Sequence, residues 1–200
     1  MTPTTRLEAW AAKGPWAAAA AFAVAAFLES LFVPFVIDAL LLGLVLAGAP
    51  LWRLAIVGAV ASLAGTLVWY ALGMAWGGDG LIFAQQTFGV PDGVAAQAGQ
   101  LWAENWPVAL VTASLTAIPD PLVAAIAGAS GVSVVGAVAA LAVSHAARFS
   151  VIAGVAWMGV KLVGKAGGTW KHRVAVGALW VGVGVGVALG VLMVGNVLAR

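Results

Sequence analysis

Ala26-Phe-Leu-Glu-Ser-Leu-Phe-Val-Pro-Phe-Val-Ile-Asp-Ala39 and, later in the chain, Thr112-Ala-Ser-Leu-Thr-Ala-Ile-Pro-Asp-Pro-Leu-Val123 set the reading of everything around them. Each places proline and carboxylate in otherwise apolar sequence. Proline inside a helix removes a donor and clashes with the preceding turn. A carboxylate at membrane depth costs ~2.5–3.5 kcal/mol on insertion scales. A chain that accepts both costs twice, in the same kind of place, is expected to build two broken helices around a polar cavity.

The surrounding composition makes that cavity a membrane one. Hydrophobic residues are 64% of the chain and charged residues 8%, against about 25% charged in a soluble domain. Two hundred residues fit one membrane domain. There is no cysteine, which rules out disulfides and thiolate metal sites. The net charge of +2 and the pI near 9.4 come from basic residues in connecting stretches. That pattern speaks of membrane orientation and not of nucleic acid. The apolar run after Lys13 continues to Leu46, so a retained segment is expected rather than a cleaved signal.

Working outward, residues 1–76 form a first repeat, with a re-entrant hairpin over about 26–49 split at Pro34. Pro15 suits the first turn of a helix running toward Glu29. Leu40–Leu46 is apolar but too short to span alone. Leu54–Trp76 carries no charge and is about 34 Å long as a helix, enough to cross. Ser62, Gly65 and Gly73 offer small surfaces for close packing, while Trp69, Tyr70 and Trp76 suggest an aromatic belt. Residues 77–106 read as an extracytoplasmic amphipathic connector. In it Asp92 would cap a short helix to Asn105, with Val94, Ala98, Leu101 and Trp102 turned to the bilayer.

Residues 107–158 form a second repeat, broken at Pro119-Asp120-Pro121 and followed by a span over Val134–Met158. Residues 159–200 supply a basic loop and a last transmembrane helix, Val174–Val194, with Gly182, Gly186 and Gly190 on one packing face. Val57-Gly-Ala-Val-Ala-Ser-Leu-Ala64 aligns with Val135-Gly-Ala-Val-Ala-Ala-Leu-Ala142, each downstream of a proline–aspartate segment. One span separates the units, so the second is inverted, as in many secondary transporters. The expected fold is therefore an all-α integral membrane protein: two inverted re-entrant helical hairpins plus flanking transmembrane helices. With both hairpins re-entrant, Arg6, Lys13, Arg53, Lys161, Lys165, Lys171 and Arg173 share one face with Glu8. Asp79, Asp92 and Glu104 lie on the other, with Arg200. The first face, with the N-terminus and the Lys161–Arg173 loop, is then cytoplasmic.

Five ionisable residues remain at depth: Glu29, Asp38, Asp120, His145 and Arg148. His145 and Arg148 are three apart and share a helix face. With His145 neutral, three negatives face one positive. Protonating carboxylates or binding cations relieves that excess, and an anionic ligand at Arg148 strengthens the need. Arg148, His145, Asp120, Pro119 and Pro121 are the candidate substrate-binding residues; Glu29, Asp38 and Asp120 are the candidates for proton or cation coupling. Interface placement of Glu29, simple capping by Asp120, a packing role for His145 and a structural ion pair for Arg148 are the competing readings. Trp16, Trp52, Trp106 and Trp170 read as interface anchors. No phosphate loop, nucleophile elbow or zinc helix occurs, so neither an enzyme nor a cofactor or metal site is expected. Ser144 beside His145 is not a catalytic pair, since adjacent helix positions point apart.

Glu29, Phe32-Val-Pro-Phe35, Asp38-Ala-Leu-Leu-Leu-Gly43, Ile118-Pro-Asp-Pro121 and Ala127-Gly128 together resemble the DedA family, also called the SNARE-associated or VTT-domain family. Ser144-His-Ala-Ala-Arg-Phe149 is similar to an element of its small YqaA-like members. The resemblance covers about Ala21 to Trp157 and implies opposed re-entrant hairpins in the plasma (bacterial inner) membrane. It implies proton-dependent movement of undecaprenyl phosphate (a polyprenyl phosphate) or phospholipid between leaflets, with Glu29 and Asp38 as the membrane acids. The second hairpin departs from the pattern: Leu115 to Pro121 holds no arginine, and Arg148 is the substitute from the next span. The expected function is thus a transporter or lipid flippase whose partners are membrane lipids and protons or cations. An envelope scaffold or assembly protein, and a small-ion or metabolite carrier, are the alternatives. Monomer and homo-oligomer both fit the sequence.

Overall fold

The computed structural model describes residues 14–32, 37–46, 48–115 and 118–164. Among these residues the protein is all-helical, with seven helices and no strand. Helix α1 is Pro15–Leu31, α2 Ile37–Leu46, α3 Leu51–Trp76, α4 Gly78–Thr87, α5 Asp92–Ala113, α6 Asp120–Ala129 and α7 Val134–Gly164. Two of them, over Leu51–Trp76 and Val134–Met158, are long and apolar enough to cross a membrane. Pro34, the basic loop beyond residue 164, the expected last span and the N-terminal lead-in lie outside the described residues.

Local sequence explains the boundaries. Proline at the first turn opens α1, where a missing N–H costs nothing. Ser114 ends α5, and Pro119 precedes α6, which starts at Asp120 with Pro121 in its first turn. Asp38 and Asp120 each sit in the first turn of a ten-residue helix, where the helix dipole favours negative charge. The chain thus repeats one order: helix, interruption, ten-residue helix, turn, long helix.

Packing crosses between the halves. Both long helices, α3 and α7, pack on each other, and α1 packs on α3. The short helices exchange: α6 packs on α3 and α2 on α7. The α3–α6 contact is made backbone to backbone. A Cβ at Gly73 would overlap the Ala125 carbonyl, and one at Gly128 would overlap the Tyr70 carbonyl. Tyr70 Oη donates to the Val132 carbonyl at 2.6 Å and Trp69 Nε1 to the Leu31 carbonyl at 3.1 Å, fixing α3 to its neighbours at both places.

Four expectations are corrected. Trp69 and Tyr70 are buried and not part of an aromatic belt; Trp69 packs on Phe83 and Phe88, and only Trp76 of the three is exposed. The stretch 77–106 contains the additional helix α4, and α5 continues to Ala113 across a bend at Asn105. There Asn105 Oδ1 accepts the Val108 N–H at 3.3 Å and caps the second part, so Pro107 falls near a helix start. Asp92 does not cap; it accepts from Gln85 Nε2 at 2.8 Å. Val94, Ala98, Leu101 and Trp102 face the protein core and not outward. Helix α5 packs on α6 and α7, and burying these side chains in the core removes more apolar surface than a lone interfacial helix could.

The outward faces of the long helices are apolar instead. Ile56 and Val60 on α3, and Val135, Val143, Val151 and Val155 on α7, are exposed. Trp16 and Trp52 flank the Arg53 guanidinium at 5.1 and 5.0 Å.

Gly73→Ala and Gly128→Ala are each expected to lower thermal stability in detergent by about 1–3 kcal/mol or more through forced separation of α3 and α6. Gly99→Ala, where a Cβ meets nothing within 4 Å, is the control and leaves the unfolding midpoint within error.

Candidate functional site

Glu29, Asp38, Asp120, His145 and Arg148, the five ionisable residues expected at depth, sit around one turn of α7. They form two linked clusters rather than one. Arg148 reaches toward α1 and α2. Its Nη2 donates to Glu29 Oε1 at 3.3 Å and to Asp38 Oδ1 at 3.2 Å. The Glu29 side chain is 12% exposed and the Asp38 side chain 44%. Glu29 is therefore an interior partner and not an interface residue. Among the described residues Arg148 forms no contact with Asp120.

One nitrogen carries both ion pairs. The rest of the guanidinium fork makes no hydrogen bond among the described residues, and the side chain keeps 22% of its surface. That leaves the planar donor set that recognises carboxylate or phosphate through two parallel bonds. The cluster borders a groove of about 300 Å³ between α2 and α7. Its walls are Ala39, Leu42, Val151, Ile152, Val155 and Ala156, with Asp38 at the polar end. The volume is at the low end for small-molecule pockets, which run about 300–1,000 Å³.

One turn earlier, His145 reaches the other way, toward α3, α5 and α6. Its Nδ1 lies 3.8 Å from Asp120 Oδ2 and its Nε2 3.1 Å from Thr66 Oγ1. Asp120 Oδ2 also accepts from Ser114 Oγ at 2.7 Å. Ser144 Oγ is 2.7 Å from Ser114 Oγ and 2.9 Å from the Val111 carbonyl. Asp120 makes no side-chain cap bond, so capping does not account for it. Pro119 and Pro121 are placed by the start of α6, with Pro121 buried beside Asp120.

The hydroxyls of Thr66, Ser114 and Ser144 escape a reading based on charge. A buried hydroxyl must find a partner, but its residue type alone does not say which one. Ser144 and His145 do point apart, as adjacent helix positions must, yet both reach the Asp120 cluster from opposite sides. Among the described residues no group of three or more His, Asp or Glu side chains is gathered as for a metal ion.

Comparison with protein-family models, curated proteins and solved structures finds no match.

Removing Arg148 leaves two acids without their partner, so Arg148→Ala is expected to be the most destabilising change here. Breaking a buried pair costs about 3–5 kcal/mol, reduced here because Asp38 reaches solvent. Glu29→Gln should cost more than Asp38→Asn for the same reason. In a double-mutant cycle, Arg148→Ala with Glu29→Gln should unfold at a higher temperature than the two single losses add up to. Strict additivity would mean that the pair makes no net contribution.

Proposed function

We propose that this protein is a membrane transporter or lipid flippase that moves an anionic head group, such as a lipid phosphate, with proton coupling. The observation that carries the proposal is the Arg148–Glu29–Asp38 cluster, whose Asp38 forms the polar end of an apolar groove. An amphiphile needs those two environments side by side: open guanidinium donors for the head and aliphatic walls for the chain.

The membrane setting is supported by two spanning-length helices and by the apolar outward faces of α3 and α7. A water-soluble protein rarely leaves such continuous apolar surface uncovered. On this reading α1–α2 and the second part of α5 with α6 are two opposed re-entrant hairpins. Interrupted backbone of this kind is tolerable at depth where it is buried in protein or lines a water-filled cavity. The N-terminus and the basic stretch that begins at Lys161, in the last turn of α7, are cytoplasmic, and the membrane is the bacterial inner one, as the resemblance to the DedA family implies.

Charge gives the coupling. Glu29, Asp38 and Arg148 sum to one negative when both acids are ionised. A bound phosphate adds more negative charge in a site of low dielectric, where like charges repel strongly. Protonating Glu29 or Asp38 removes that repulsion and frees Arg148 for the ligand. Proton and anion should therefore enter together.

The test is reconstitution in liposomes with fluorescent polyprenyl phosphate or phospholipid and an imposed pH gradient. Wild type is expected to move label between leaflets faster with the gradient than without it. Arg148→Ala and Asp38→Ala should each abolish movement while still inserting. Val155→Trp, which fills the groove, should slow it at least tenfold. Wild-type rates in both charge variants would sink the assignment. No movement by any protein would favour an envelope scaffold.

A further inference from the structure

We propose that Asp120 and His145 form a proton-binding site that holds one proton, on Asp120 with His145 neutral, and that Ser114, Ser144 and Thr66 are its positioning residues. Its use in transport rests on the function proposed above; its existence does not.

The argument is a count of hydrogens. Three short oxygen–oxygen contacts run in series: Asp120 Oδ2 to Ser114 Oγ, Ser114 Oγ to Ser144 Oγ, and Ser144 Oγ to the Val111 carbonyl. Each needs one hydrogen to be attractive. The two serines own two. With Asp120 ionised, Ser114 donates to the carboxylate, and Ser144 has one hydrogen for two neighbours. Either Ser114 Oγ or the Val111 carbonyl then meets Ser144 Oγ lone pair to lone pair, at 2.7 or 2.9 Å. With Asp120 protonated, it donates to Ser114, Ser114 to Ser144, and Ser144 to Val111. All three contacts are then filled. The chain ends on a carbonyl, which can only accept, so its direction is fixed by the proton count on Asp120.

The other side gives the same result independently. Thr66 Oγ1 lies 2.9 Å from the Ser62 carbonyl one helical turn back. That carbonyl can only accept, so the Thr66 hydrogen goes there. His145 Nε2 must then carry the hydrogen of the neutral ring and donate to Thr66. Nδ1 is left as a bare acceptor, buried and without a hydrogen-bond partner. Asp120 Oδ1 is likewise buried without one. An ionised carboxylate opposite that bare nitrogen at 3.8 Å sets two lone pairs against each other. A proton on the carboxyl removes the negative charge and makes the cluster neutral. No co-reactant is needed: the proton comes from water and returns to it. Asp120 keeps 10% of its side chain exposed and His145 1%, so Asp120 is the less enclosed of the two.

The charged groups around Asp120 are few. From α7 come His145 and, one turn on, Arg148. Arg148 is itself engaged by Glu29 of α1 and Asp38 of α2. Ser114, just past the end of α5, meets Asp120 with its hydroxyl, and Thr66 of α3 meets His145. Asp79 of α4, and Asp92 and Glu104 of α5, are exposed at the surface. Nothing else titratable among the described residues competes for the proton.

The test is infrared difference spectroscopy on purified protein without substrate, titrated over the pH range in which it stays folded, with nitrogen-15 NMR of His145 alongside. One protonated-carboxyl band should be absent from Asp120→Asn. Ser144→Ala removes two hydrogen bonds from the protonated state and one from the ionised state. It should therefore weaken proton affinity by up to about tenfold, moving the midpoint of the band to lower pH. Thr66→Val should release the ring so that the Nδ1–H tautomer appears, and it serves where a serine variant fails to fold. Two results overturn the proposal. One is a carboxylate at Asp120 at every pH, with or without an imidazolium at His145. The other is a midpoint and tautomer indifferent to Ser144→Ala and Thr66→Val. Loss of transport in liposomes would leave both readouts untouched, so the two proposals fail separately.

Discussion

Arg148 is the constraint on which the arrangement depends. A lone guanidinium inside an apolar bundle is costly, and so are two carboxylates. Bringing them within 3.3 Å makes all three tolerable at once. It also fixes geometry. Glu29 sits near the end of α1, Asp38 in the first turn of α2 and Arg148 midway along α7. Three helices therefore have to meet at one depth. Among the described residues the other cations, Arg53 and Lys161, lie near helix ends, one beside two tryptophans and the other over Trp157. They can reach the aqueous boundary without such partners.

The two halves share an order of elements but not a packing. Helix α6 is buried along nearly its whole length, with backbone pressed on α3 through Gly73 and Gly128. Helix α2 meets α7 through larger side chains and leaves the groove beside Asp38. The difference lies in the small residues. Where glycine faces glycine-like surface, helices close up; where leucine and valine meet, a gap remains. The sealed half carries the hydrogen-bonded Asp120 cluster and the open half carries the exposed acid.

Much of this was legible in the residues. Pro119 and the serine-to-proline stretch before it announce the break between α5 and α6, because proline denies a helix its donor. The uncharged runs announce α3 and α7. The requirement that buried charges find partners announces the meeting of Glu29, Asp38 and Arg148. What was hidden was direction. Trp69 and Tyr70 look like interface residues by type, and only the neighbours supplied by α4 reveal them as core. The apolar side of α5 is equally suited to lipid and to protein, and periodicity cannot say which it meets. Hydroxyl partners were hidden for another reason: serine and threonine cost too little in a helix to disturb a hydrophobic pattern, so Thr66 and Ser144 leave no trace in it.

The spacing on α7 ties the two clusters together physically. His145 and Arg148 are three residues apart, about 4.5 Å along the axis. A rotation or tilt of α7 that draws Arg148 away from Glu29 must also move His145 against Thr66 and Asp120. On the function proposed above, an incoming anion would compete with the two acids for Arg148 and favour such a movement. The hydroxyl chain to Val111 is anchored on a different helix and would resist it until its hydrogens rearrange. Under those two proposals the number of protons in the sealed half would set how readily the open half releases its arginine. This needs no contact between Arg148 and Asp120, only the stiffness of a single helical turn.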